Sequence, residues 1–566
     1  MKNTIKLSGL ALLFAFGPVA GFQAFAQTGG KLDNTEIKIE KSKVLELPEA
    51  SRNYEKFRIE PPEKKTNTVT YRFNDYKLPD QDVPLSARVL TIKQEDLKKL
   101  YGNYIKAGFG NYSTPYLKGY FHNKRSDRAS FGGYVSHVSS NGPVDNSDVS
   151  NSEIGAHGES YMGNITVGGR VGYERDGYKF YGYNPDLPSP DIIRKIDQNF
   201  NRVNGEAYIN NKTQANSKMQ YGVKAGVKYF SDAFDASEVN GYGGLDLQYF
   251  LSNKSRVEVL SDLSFISYKD GDDISRPYFK IAPSYQVDLD KLDVSVGAIL
   301  GYTGDTINNG DKLNFYPNLR LGYEAIENKL VLFAGATGDL QRVTLYDLTR
   351  ENPWLKETPS LMPELASNRL LISDTDKQLE LYGGVTGSLI PNVQITARVA
   401  YQNYKNLYFF NHNPLDSARF ILEYDPENTN ALNFYGEVVY NKAEKFRLGV
   451  KTDYYNWSTG KLEHPFYLPA NRTTVFGSYN IYDKILFNAE LYYIGSSFGK
   501  IYRGLGEQVI VESDNIVDLN LKVDYRISEK FSTFVMLNNI LGKKYERFVN
   551  YPTKGFNAIV GLSYTF

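Results

Sequence analysis

Gly555–Phe566 reads GFNAIVGLSYTF. Every second residue counted back from Phe566 is apolar: Tyr564, Leu562, Val560, Ala558 and Phe556. The residues between them, Thr565, Ser563, Gly561, Ile559 and Asn557, are mostly small or polar. A period of two puts successive side chains on opposite faces of a strand. The stretch therefore reads as a strand with one greasy face and one polar face.

The pattern recurs upstream. Ile516–Ile527 is IVDLNLKVDYRI, with Val517, Leu519, Leu521, Val523 and Tyr525 on one face. Asp518, Asn520, Lys522, Asp524 and Arg526 take the other. Lys484–Tyr493 sets Phe487, Ala489 and Leu491 against Asn488, Glu490 and Tyr492, and Lys445–Tyr455 sets Leu448, Val450 and Tyr454 against Arg447, Lys451 and Asp453. Charges inside single strands suit a wet lumen opposite a lipid-facing surface. A soluble propeller or sandwich stack would have to bury the apolar faces in dry cores, and no repeat of about 40 to 45 residues marks a propeller.

The punctuation alternates. Short turns such as Met162–Asn164, Ser252–Lys254 and Ile390–Asn392 separate longer polar stretches such as Ser139–Ser152, Thr344–Asn368 and Gly495–Ser513. Short turns on one rim and long loops on the other is the layout of an outer-membrane barrel. The expected fold is all-β: a transmembrane antiparallel β-barrel of about 22 strands. It would begin with Tyr104–Gly110 and close on Asn557–Phe566, with a further strand, Phe420–Tyr424, inside an outer loop.

Composition fits. The 566 residues carry 65 Lys+Arg and 65 Asp+Glu, a formal net charge of zero, which gives no reason to expect a nucleic-acid partner. Cys is absent, excluding thiol catalysis, disulfides and cysteine metal sites. Tyr 45 and Phe 32 are high, as expected at a lipid–water boundary, and Gly 48 suits tight turns and a crowded interior.

Residues 1–26 read as a secretory signal peptide: Lys2 and Lys6, an apolar run from Leu7 to Ala20, then Ala24-Phe25-Ala26 as cleavage site. Residues 27–102 are charged and punctuated by Pro48, Pro61 and Pro62, which points to an extended periplasmic or lumenal segment. The barrel is assigned to 103–566. The expected location is the outer membrane of a Gram-negative bacterium.

The stretch Phe531–Phe566, with Asn538-Asn539-Ile540-Leu541, Lys543-Lys544-Tyr545, Tyr551-Pro552 and Gly555 ahead of the aromatic-ended strand, resembles the end of TonB-dependent outer-membrane receptors. The resemblance implies a penultimate strand, an outer loop and a closing strand in a receptor or transporter barrel. Those receptors carry a plug domain ahead of the barrel, and 27–102 is too short for an ordinary one. Pro48–Phe57, Gly102–Tyr116 and Tyr134–Gly142 also resemble receptor-like barrels without an ordinary plug. The resemblance further implies that Phe566 and Tyr564 are read by the barrel-assembly machinery.

No catalytic constellation is expected. Ser136 and His137 are adjacent in a strand and point to opposite faces. No G-x-S-x-G elbow occurs, and His122, His137, His157, His412 and His464 lack metal-ligand spacing. Neither metal nor cofactor is expected. Asp270–Asp273 reads as an exposed acidic turn. Tyr181, Tyr183, Trp354, Phe409 and Phe410 read first as an outer aromatic girdle, with contacts for a surface ligand or partner as the alternative role. Two functions follow: a receptor or transporter-like barrel passing or binding a solute with partner proteins, or a non-transporting accessory subunit of an outer-membrane assembly or export complex. The expected partners are membrane lipid, the assembly machinery, and periplasmic or outer-membrane proteins.

Overall fold

The computed structural model describes residues 101–566 except 124–125, 184–195, 212–216, 306–311, 357–369, 415, 444 and 504–506. The expectations for the signal peptide and for 27–100 lie outside the described residues. Twenty-two strands form one antiparallel sheet, closed where β1 (Tyr104–Gly110) pairs with β26 (Asn557–Thr565). Two hairpins stand outside that sheet: β16 (Tyr408–Asn413) with β17 (Asp416–Tyr424), and β22 (Phe498–Arg503) with β23 (Glu507–Glu512). The first confirms a strand inside an outer loop.

The closing strand faces as its alternation requires. Leu562 and Val560 are 60% and 53% exposed to the outside, whereas Ile559 on the opposite face is 5% exposed. Closure leaves no unpaired edge in the lipid, where an unsatisfied backbone group costs several kcal/mol. At the seam Lys106 of β1 reaches Asp524, 3.2 Å away on β24 (Ile516–Arg526), and its ammonium lies 3.9 Å from the Phe534 ring centre. Lys522 also approaches Asp524 at 3.5 Å. The charges inside the last strands thus form a paired lumenal network.

The inner wall explains the high Tyr and Gly content differently from a lipid–water boundary alone. Tyr208 on β6 (Asp197–Asn210) lies over its cross-strand partner Gly168 on β5 (Ile165–Lys179), where a Cβ would sit 2.4 Å from the ring. Its hydroxyl bonds Glu159 on β4 (Val149–Met162), one strand farther. Tyr242 on β8 (Ser237–Ser252) repeats this over Gly226 on β7 (Met219–Ser231), and its hydroxyl donates to Glu206 on β6 at 2.9 Å. Tyr134 lies over Gly155 and donates to Glu153 at 2.8 Å. The missing side chain lets each ring lie flat, and the carboxylate satisfies the hydroxyl.

Candidate functional site

The outer loops fold into a cap with its own apolar core. Phe180, Phe409, Phe420, Phe466 and Tyr551 are each 2% exposed or less. They come from loops at well-separated points of the rim, so their contacts cross the mouth. Tyr551, in the loop before β26, stacks on Trp354 at 3.8 Å and meets Tyr181 edge-on at 4.7 Å. Its hydroxyl donates to the Ala418 carbonyl in the β16–β17 hairpin. Full burial holds the Tyr551 phenol well above its usual pKa.

Among the described residues one helix, α1 (Leu345–Glu351), lies in the cap. Thr344 caps it, its hydroxyl accepting from the Asp347 N–H at 3.1 Å, and Asp347 in the first turn complements the helix dipole. Leu345, Tyr346 and Leu348 bury its apolar side. Glu238, from the outer end of β8, accepts from the Leu345 and Tyr346 N–H groups at 2.8 and 3.3 Å. The wall therefore satisfies two of the helix's first donors.

Charged latches tie cap to wall and one cap hairpin to the other. Arg276, 2% exposed on β10 (Asp272–Leu289), bonds Asp305 at 2.6 Å, Asp374 at 2.7 Å and the Val343 carbonyl at 2.8 Å. Lys356 bonds Asp270 at 2.7 Å. Arg202 on β6 pairs with Asp176 and donates to the Thr349 hydroxyl at 2.9 Å. Lys500 of the second hairpin grips both Glu423 carboxylate oxygens of the first at 2.6 and 2.7 Å. Breaking such a buried pair by removing one partner costs about 3–5 kcal/mol.

Beneath the cap lies a chamber of about 660 Å³. The barrel wall contributes Tyr404, Tyr455, Trp457 and Arg472; the cap contributes Phe410 and Arg547. Tyr455 and Trp457 stack at 4.9 Å and 14°. Burial, then the like charge of Arg472, pushes the Arg547 guanidinium below its usual pKa, while Glu351 pulls it back. Asp262, Lys280, Asp339, Arg342 and Glu351 also line it, so the space offers rings and charged groups together and has room for a small polar molecule.

Of the aromatics marked in the sequence, Phe409 and Phe410 line this chamber, and Tyr181 and Trp354 pack in the cap core with them. Phe409 and Phe410 are 1% and 8% exposed. Trp354 packs between Tyr551 and Phe548, and its indole N–H donates to the Lys179 carbonyl at 3.1 Å. Tyr181 joins the same core, and Tyr183, two residues on, is half-buried. Phe409 and Phe410 are thus not on the surface. Tyr564 and Phe566 stack at 5.6 Å at the rim of short turns. The acidic turn is exposed at Gly271–Asp273 as expected, but Asp270 at its start is buried, because Lys356 and the Tyr268 hydroxyl claim it. The latches Arg202, Arg276 and Glu238 escaped sequence reading, since their partners are distant in the chain. Their one signal was charge at the outer ends of alternating strands.

No family model matches the sequence, and no curated protein matches it. Solved structures do. The chain is similar to the pyoverdine outer membrane receptor FpvA from Pseudomonas aeruginosa, with TM-score 0.61 and 12% identity over 82% of this chain and 78% of that one. It is similar to the FrpB iron transporter from Neisseria meningitidis, with TM-score 0.62 and 9% identity over 83% and 82% of the two chains. For the ferric-catecholate import receptor Fiu from E. coli the TM-score is 0.59, with 11% identity over 82% of each. The chain shares the barrel fold of these outer-membrane receptors. The resemblance read from the last strands extends around the whole wall.

Proposed function

We propose that the protein is an outer-membrane receptor of the transport type, closed outward by its folded loops and working with partner proteins. The observation that carries this reading is the chamber between the cap and the lumenal wall, lined by rings and charged groups. A 22-strand barrel encloses a lumen wide enough to leak unless filled. The outer side is bridged by the loop core; on this reading, residues 27–100 close the inner side. A solute held beneath the cap passes when both closures yield. The test is conductance in planar bilayers combined with chemically cross-linked purification. A closed full-length chain that opens when the closures are removed supports transport.

A second reading, a non-transporting accessory subunit, draws on the cap's packing. A core tied by buried ion pairs resembles a permanent lid more than a gate. Recovery of a defined outer-membrane complex, together with a barrel that stays closed after both closures are loosened, favours this second role.

A further inference from the structure

The lipid-facing belt has uneven height. On β12 (Leu313–Ile326) outward apolar residues run from Leu313 through Phe315, Leu319 and Leu321 to Tyr323. Ten residue steps span ~33 Å along the strand and ~25 Å along the membrane normal at a tilt of ~40°, the height of an ordinary barrel belt. On β1 the outward row is Ile105, Ala107 and Phe109, and the chain turns at Asn111. Four steps give ~13 Å along the strand and ~10 Å along the normal.

The shortfall continues on the neighbouring strands. The outward row of β3 (Ala129–Ser140) passes from Phe131 and Val135 to His137 and Ser139. His137 bonds Ser152 of β4 at 2.8 Å on this outer face. The register places His137 beside Leu117 of β2 (Thr114–His122), which pairs with Ala107. In register, polar side chains thus begin two strands over from the middle of the β1 row. On the other flank β26 keeps a long apolar row from Phe556 to Phe566, so the notch is bounded.

We infer that β1–β3 form a notch in the apolar belt, open toward the outer leaflet, where the bilayer is locally thinned and short-chain lipid collects. Acyl chains facing Asn111, His137 and Ser139 would bury polar groups against hydrocarbon. Drawing headgroups down to them avoids that cost, and thinning by several Å costs only fractions of a kcal/mol per Å. The occupant is lipid because Ile105, Leu117, Phe109 and Phe131 stand exposed on the outward face of a closed membrane barrel, Phe109 at 62% and Phe131 at 60%.

The absence of Cys permits single-site labelling of the full-length chain. Bimane is attached at Phe109→Cys on the notch and at Phe315→Cys on the tall wall, both lipid-facing. Phe131→Cys replaces the first if it fails to fold, judged by heat-modifiable migration. Vesicles mix dimyristoleoyl and dierucoyl phosphatidylcholine, with only one lipid brominated in each sample. Brominated short-chain lipid should quench the notch label about twofold more than the tall-wall label, and brominating the long-chain lipid should reverse the order. Equal quenching at both sites overturns the inference. So does a notch label that neither lipid quenches, because a protein then covers the sector.

Discussion

Trp354 lies flat against Tyr551, with ring centres 3.8 Å apart and planes at 27°. One comes from the loop between the thirteenth and fourteenth strands, the other from the loop before the last. Their contact spans the mouth. Tyr551→Ala removes a fully buried ring and leaves a cavity, which costs about 3–5 kcal/mol. The cap should lose protection while the barrel survives. Proteolysis of intact detergent-solubilised protein should nick Leu407–Glu427 much faster in the variant, with heat-modifiable migration unchanged. Equal nicking rates would show that this stack does not hold the cap.

The inner wall offers a second test. Gly168→Leu places a side chain where the Tyr208 ring rests, forcing the ring off the wall and its hydroxyl away from Glu159. Overpacking of this kind costs about 1–3 kcal/mol. Urea-induced unfolding in detergent should shift to lower midpoint, and Gly168→Leu/Tyr208→Ala should recover part of the loss. If the double variant is no better than the single one, the ring and the glycine are not coupled.

These contacts show what was legible in the sequence. Alternation and turn rhythm revealed the barrel because each strand carries its own two-faced pattern, as Val517–Tyr525 does. The cap was not legible. Trp354, Phe410 and Tyr551 lie in polar, aperiodic loops, and their association depends on closure of the barrel bringing distant loops together. Burial of Asp270 was hidden for the same reason, since Lys356 is remote along the chain. Aromatics in outer loops therefore read as girdle or as ligand contacts, and their role as a core went unseen.

His412 gives the cap a pH dependence. Its ring is fully buried in the β16–β17 hairpin, its Nδ1–H donates to the Ser417 carbonyl at 2.6 Å, and burial lowers its pKa from 6.5 to about 4. Between these values the unfolded hairpin binds the proton and the folded one does not. Stability is therefore full above about pH 6.5 and falls as pH drops toward 4, by up to about 3 kcal/mol. Glu351 and Glu546 oppose this, because burial raises both of their pKa values. Hydrogen exchange of Tyr408–Tyr424 should accelerate over this interval beyond the intrinsic rate. His412→Asn, which keeps a donor near Nδ1 and cannot titrate, should flatten that extra slope; an unchanged slope would assign it elsewhere.

Phe566 supplies an assembly test. Its backbone N–H donates to the Asn103 carbonyl at 3.0 Å, joining the last residue to the entry of the first strand, and its ring meets Phe121 at 6.4 Å. Deleting Phe566 should lower the amount of heat-modifiable protein in outer-membrane fractions severalfold, whereas Phe566→Trp should largely restore it. Normal levels after deletion would contradict a role in assembly.

The central claim is a transport-type barrel held shut from two sides. It is tested most directly by conductance across planar bilayers for the full-length chain, the chain lacking Gln27–Leu100, and that deletion combined with Trp354→Ala and Tyr551→Ala. The full-length protein should be silent, the deletion should flicker, and the combined variant should show large, long-lived openings. A full-length chain that conducts steadily, or a combined variant that stays closed while correctly folded, would contradict it.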